Sequence, residues 1–154
     1  MFVQFAKRTV ARSMPRPQTV EARNGLSYEK KFFRCLREAT CGRKEWLAVE
    51  HNPWFAYRTL GAEKVCCPDM IAFDFEEQFA VVIEVKKTFV PNAMEKLKGL
   101  YCPVVSRALS IPCKPLVVCC SLTPAAPNPS SRIAFALTSA YPLYQWLGTE
   151  PVLF

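Results

Sequence analysis

The 154-residue sequence predicts an α/β fold, a central mixed β-sheet of about four to five strands flanked by α-helices. Three observations predict it. The segment from Pro68 to Lys86 reads as two strands joined by a tight turn, apolar on both faces up to Ile83, as in strands covered on both sides. Apolar stripes at helical spacing stand before and after it, over Leu26–Thr40 and Ala93–Leu109. A last run, Lys114–Leu122, is apolar enough for a central strand. The order helix, three strands, helix, strand predicts a mixed sheet with helices on both sides.

Composition narrows the class. The chain is 51% hydrophobic and carries eleven Phe, so it builds a core and is not disordered as a whole. No apolar run reaches the roughly 18 residues of a membrane-spanning helix. A net charge of +7 and a pI of 9.1 favour a polyanionic partner such as nucleic acid. The eight cysteines show no Cys-x-x-Cys spacing, and His51 is the chain's one histidine, so neither a zinc site nor a site of several histidines is expected. They read as reduced, mostly buried thiols in an intracellular, reducing compartment, the cytoplasm, nucleoid or nucleus.

Residues 1–24 read as a basic arm with Lys7, Arg8, Arg12, Arg16 and Arg23. Three readings of it stay open: an arm lying on phosphates, an Arg-rich organelle transit peptide within residues 1–20, and a flexible, frayed terminus. Residues 25–154 read as a single domain. The helix Leu26–Thr40 takes Ser27 as N-cap, with Gly42 just past its end. Tyr28, Phe32, Phe33, Leu36 and Ala39 form its apolar stripe, and Lys30, Lys31, Arg34 and Arg37 fill the other faces. Glu29 stands at the stripe's edge, either as a first-turn acid complementing the helix dipole or as a site residue.

Glu45–Arg58 reads as a strand or a bent pair broken at Asn52-Pro53. Its Trp46, Trp54, Phe55 and Tyr57 read as core and rim packing, or as a surface that stacks on bases. His51 is read as structural, or as a base or phosphate contact. Gly61–Val65 is predicted as a turn. Cys66 and Cys67 follow, with no neighbouring histidine to activate a thiol nucleophile. The hairpin itself takes strands Met70–Phe75 and Phe79–Lys87 around Glu76, Glu77 and Gln78. Beyond it, Asn92 is expected to cap the helix Ala93–Leu109, which Pro103 kinks or splits; Leu97 and Tyr101 lie in its stripe, and Lys96 and Lys98 project elsewhere. Thr123–Arg132 is a Pro/Ser loop. Ile133–Leu147 is expected to hold a strand and a short helix, with Trp146 and Leu147 packing back.

A hairpin centred between Glu76 and Glu77 places Phe73 opposite Ala80, Ile71 opposite Val82 and Asp69 opposite Glu84, with Lys86 on the face of Glu84. Two carboxylates that converge at a strand end repel unless a cation lies between them, and Mg²⁺ accepts such a pair.

Pro68-Asp69 followed by Glu84-Val85-Lys86 resembles the motif of the PD-(D/E)XK nuclease superfamily, whose core is restriction endonuclease-like. Gly25-Leu26-Ser27-Tyr28-Glu29 also resembles the start of the archaeal Holliday junction resolvases within it. The resemblance implies that Asp69, Glu84 and the main-chain carbonyl of Val85 hold Mg²⁺ or Mn²⁺, that Lys86 orients the attacking water, and that Glu29 joins the site as ligand of a second metal. Lys30, Lys31, Arg34, Lys87 and Lys98 are then expected on the nucleic-acid backbone. Many members carry a Gln four residues before a Tyr on the following helix; Leu97 stands there before Tyr101, and Lys98 is the fallback.

The implied activity is a metal-dependent nuclease hydrolysing phosphodiester bonds of DNA, duplex, single-stranded or branched, as endonuclease or exonuclease, with a homodimer among its compatible assemblies. The alternative on the same fold is a catalytically inactive nucleic-acid-binding protein. A third class, an interaction protein using the aromatic group, is separated from both by the salt dependence of nucleic-acid binding.

Overall fold

The computed structural model describes residues 2–5, 19–42 and 46–154, and of residues 2–5 and 46–48 the main chain alone. The chain runs β1 (Phe2–Phe5), α1 (Val20–Thr40), β2 (Trp46–His51), β3 (Phe55–Thr59), β4 (Ala62–Cys66), β5 (Met70–Asp74) and β6 (Phe79–Thr88). It continues through α2 (Asn92–Lys96), a π-helical turn (Leu97–Tyr101), α3 (Cys102–Leu109), β7 (Cys113–Ser121), α4 (Ile133–Ala136) and β8 (Leu143–Gln145).

The central sheet has five strands in the order β2-β5-β6-β7-β8. The pairs β2·β5 and β5·β6 are antiparallel, whereas β6·β7 and β7·β8 are parallel. The expected mixed α/β architecture is therefore present. Alternation along β6 explains why its sequence is apolar without a break. Val81, Ile83 and Val85 point to one face, where Tyr28, Phe32 and Leu36 of α1 and Trp146 cover them. Ala80 and Val82 point to the other, covered by Ala93, Leu97, Val104 and Val105. Each fully buried Val, Ile or Leu contributes about 1.5–3 kcal/mol relative to exposure. These two layers hold the sheet in place between the helices.

β1, β3 and β4 form a separate antiparallel sheet of three strands. The segment Gly61–Val65, expected as a turn, is in fact mostly β4. The turn is the two-residue Leu60-Gly61 link, with φ of 48° and 79°. Both are left-handed, as the hairpin turn that matches strand twist requires.

The first helix starts earlier than its sequence suggests. Thr19, not Ser27, is the N-cap, and its Oγ1 accepts the Ala22 N–H at 3.1 Å. The helix passes through Asn24 and Gly25 although both are weak helix formers. The cap at one end and the buried stripe at the other outweigh that local preference. Glu29 therefore lies well inside the helix, and its reading as a first-turn acid is overturned.

The second helical region is continuous through Pro103, with the π turn immediately before it. A proline ring crowds the carbonyl four residues back, here Gly99, and an added residue in that turn relieves the conflict. Asn92 lies inside α2 and makes no side-chain cap. At the C-terminus the short helix precedes the strand; Trp146 is fully buried while Leu147 is exposed. Lys7, Arg8, Arg12 and Arg16 of the basic arm lie outside the described residues. Among the described residues no helix is long and apolar enough to cross a membrane.

Candidate active site

The turn of the β5–β6 hairpin fixes its register. Asp74 is buried, and its Oδ1 accepts the N–H groups of Glu76 at 3.1 Å and Glu77 at 2.8 Å; Gln78 takes the left-handed φ of 55°. The pairs are Met70↔Ile83, Ile71↔Val82 and Phe73↔Ala80, the register expected from the sequence. Continued by one residue it sets Asp69 across from Glu84. Asp69 Oδ2 accepts the Val85 N–H at 2.7 Å, and the Asp69 carbonyl accepts the Asn52 N–H at 2.8 Å. The second of these bonds draws the end of β2, with His51, to the same place.

Glu84 is 1% exposed. Its Oε1 faces two ammonium groups, Lys86 Nζ at 2.9 Å and Lys96 Nζ at 3.4 Å. Its Oε2 is buried and has no hydrogen-bond partner. A buried carboxylate oxygen without a partner is costly, and a proton, a water or a cation can each complete it. From α1, Glu29 Oε1 lies 2.8 Å from His51 Nε2. The His51 ring stacks on Phe33 with centroids 4.6 Å apart.

The electrostatics tie these groups together. Burial, followed by the negative charges of Glu84 and Glu29, pushes the Asp69 carboxyl up to about 7, against the Val85 N–H and Lys86, which pull it down. Three carboxylates thus share one neighbourhood. Burial, and then Asp69, push the Cys67 thiol up to about 12, which keeps it protonated and unsuited to nucleophilic attack. Among the described residues no three acidic, histidine or cysteine side chains already close on one point as a preformed metal-ligand set.

The fold therefore brings together Glu29, Asp69, Glu84, Lys86 and the main chain of Val85. Lys30, Lys31 and Arg34 are exposed on α1, and Lys87 is exposed near the end of β6. Lys98 does not reach the carboxylates: it lines a separate open groove of about 570 Å³ with Phe89, Met94 and Tyr141. The aromatic group divides, with Phe55 fully buried and Trp54 36% exposed; the Trp46 side chain lies outside the described residues. All eight cysteines are free thiols, three of them buried. The residue that sequence reasoning missed is Lys96. It ends α2 just before the π turn that brings Tyr101 beside it, and that turn leaves no signal in the apolar spacing. His51 was legible only as a lone histidine; its contact with Glu29 joins residues 22 apart in the chain.

No protein-family model matches the sequence, and a search among curated proteins finds no match. Among solved structures, the crystal structure of protein VC1899 from Vibrio cholerae is similar, with a TM-score of 0.55 at 16% identity. The likeness covers 83% of this chain but 32% of that one, so the chain spans about a third of its length. It is a likeness of fold.

Proposed function

We propose that this chain is a metal-dependent nuclease of the PD-(D/E)XK superfamily that hydrolyses phosphodiester bonds of DNA. The observation that carries the reading is Glu84 with its orphaned, buried Oε2, set across the hairpin from Asp69 and 2.9 Å from Lys86. A buried Glu84 with a free oxygen, across from a half-buried Asp69, suits a hard divalent cation. Asp69, Glu84 and the Val85 carbonyl would hold Mg²⁺ or Mn²⁺, and Glu29 would serve a second ion. When bound, the metal polarises a phosphodiester and lowers the pKa of a water. Lys86 orients that water and offsets negative charge on the phosphorus centre. Asp69, raised to about 7, gives up its proton as the site is loaded. Lys30, Lys31, Arg34 and Lys87 supply exposed positive charge for backbone phosphates, which position a duplex without reading its sequence.

A second reading is a nuclease-fold protein that binds nucleic acid through the exposed Lys30, Lys31, Arg34 and Lys87 without cutting it. One experiment separates them. The protein is incubated with supercoiled plasmid, linear duplex, single strand and a four-way junction, in Mg²⁺, Mn²⁺ or EDTA. The nuclease reading expects metal-dependent cleavage that Lys86→Ala abolishes while DNA binding persists. Calorimetric titration with Mn²⁺ should show binding lost in both Asp69→Ala and Glu84→Ala. Cleavage retained by Lys86→Ala overturns the role of Lys86, and unchanged Mn²⁺ affinity in both acid variants overturns the metal site.

A further inference from the structure

We infer that Lys96 is a second phosphate-binding residue of this site, holding a phosphodiester oxygen of the substrate beside the carboxylates, and that the π turn places it there. The inference deepens the nuclease reading and rests on it.

Lys96 closes α2, with its Nζ 3.4 Å from Glu84 Oε1 and 4.6 Å from the centroid of the Tyr101 ring. Residues five apart in a regular α-helix point about 140° away from one another and cannot meet. Here the Leu97–Tyr101 turn is wound one residue wider, with the Cys102 N–H bonded to the Leu97 carbonyl, and Lys96 and Tyr101 come to share a face. Leu97 is buried in the core, so Lys96 is the α2 side chain that meets Glu84.

Lys96 is not needed to neutralise Glu84, because Lys86 is nearer to the same oxygen. Its side chain is also 47% exposed. An ammonium has three donors. With one turned to Glu84 and a second to the Tyr101 side chain, Lys96 keeps one donor toward solvent. The charge balance of the site gives that donor a purpose. Three ionised carboxylates and two ammoniums leave one negative charge, which a divalent cation turns into one positive charge. A single phosphodiester then neutralises the loaded site. Without Lys96 the loaded site would be neutral and would exert no net pull on the substrate.

The test compares the full chain with Lys96→Gln and Lys96→Arg by three readouts: Mn²⁺ affinity by calorimetry, affinity for a short DNA duplex in Ca²⁺ as salt is varied, and cleavage in Mg²⁺. Lys96→Gln should keep Mn²⁺ binding and melting temperature and lose about tenfold in DNA affinity, the size of one charge-assisted hydrogen bond. Its salt slope should fall by about one. Lys96→Arg should restore both, and the loss in cleavage should appear in KM. DNA affinity and salt slope unchanged in Lys96→Gln overturn the inference, as does loss of Mn²⁺ binding with DNA affinity intact, which would make Lys96 only a prop for Glu84. A wild-type protein that neither binds nor cleaves DNA with metal present brings down the nuclease reading and this subsite with it. Wild-type cleavage with an unaffected Lys96→Gln brings down the subsite alone.

Discussion

Asp69 links the chemistry of the site to the stability of the protein. An unperturbed aspartate titrates near about 3.9. Held at about 7 by burial and by Glu84 and Glu29, Asp69 keeps a proton in the folded, metal-free protein that the unfolded chain has already lost. Stability therefore falls as pH rises between those two values, and above about 7 the whole penalty is present. Asp69→Asn removes it. The variant should melt at a higher temperature than the wild type near about pH 8, and the difference should vanish near about pH 4. Scanning calorimetry at the two pH values checks this; an Asn variant less stable at the higher pH would contradict the electrostatic picture. On the proposed metal site, Mn²⁺ should stabilise the wild type most at the higher pH, because a bound ion would replace that proton.

Within single elements, the hairpin and the helices differ in how far their sequences reveal them. Register in β5–β6 follows from the turn and from alternation, both local, and the expected pairs Phe73↔Ala80 and Ile71↔Val82 are present. Helix starts are less visible. Ser27 looks like an N-cap as good as Thr19, and only the packed length of α1 separates them. The β3–β4 turn is expected over Gly61–Val65 but is confined to Leu60-Gly61, because Leu60, an unusual residue for a left-handed position, takes it fully exposed. An L-residue with a branched side chain is disfavoured in this conformation, and Asn is tolerated. Leu60→Asn should therefore stabilise the protein by about 0.5–1 kcal/mol, measured by denaturant unfolding.

Across the whole molecule, the C-terminal segment anchors the helix that carries Glu29. Trp146 is fully buried, with ring centroids 5.4 Å from both Tyr28 and Phe32, and its Nε1–H donates to the Glu150 carbonyl at 2.8 Å. The Tyr28 hydroxyl donates to the Trp146 carbonyl at 2.7 Å, next in sequence to Glu29. Trp146→Ala should cost about 3–5 kcal/mol in denaturant unfolding, a large share of a typical total of about 5–15 kcal/mol. On the proposed nuclease reading it should also lower cleavage under conditions where the variant remains folded, because α1 loses its support. Trp146→Phe should recover part of both.

The sequence by itself determined the sheet's covered strands, the Asp69–Glu84 register and the presence of Lys86 on the face of Glu84. Each follows from side-chain alternation and a short turn, and these act over a few residues. Only the tertiary structure decided that Glu29 meets His51, that Lys96 reaches Glu84 in place of Lys98, and that β4 is a strand. Those outcomes depend on how a helix winds past Pro103 and on contacts between segments far apart in the chain. The free energy of such contacts comes from burial and charge in the assembled fold, so no local pattern of residues records them.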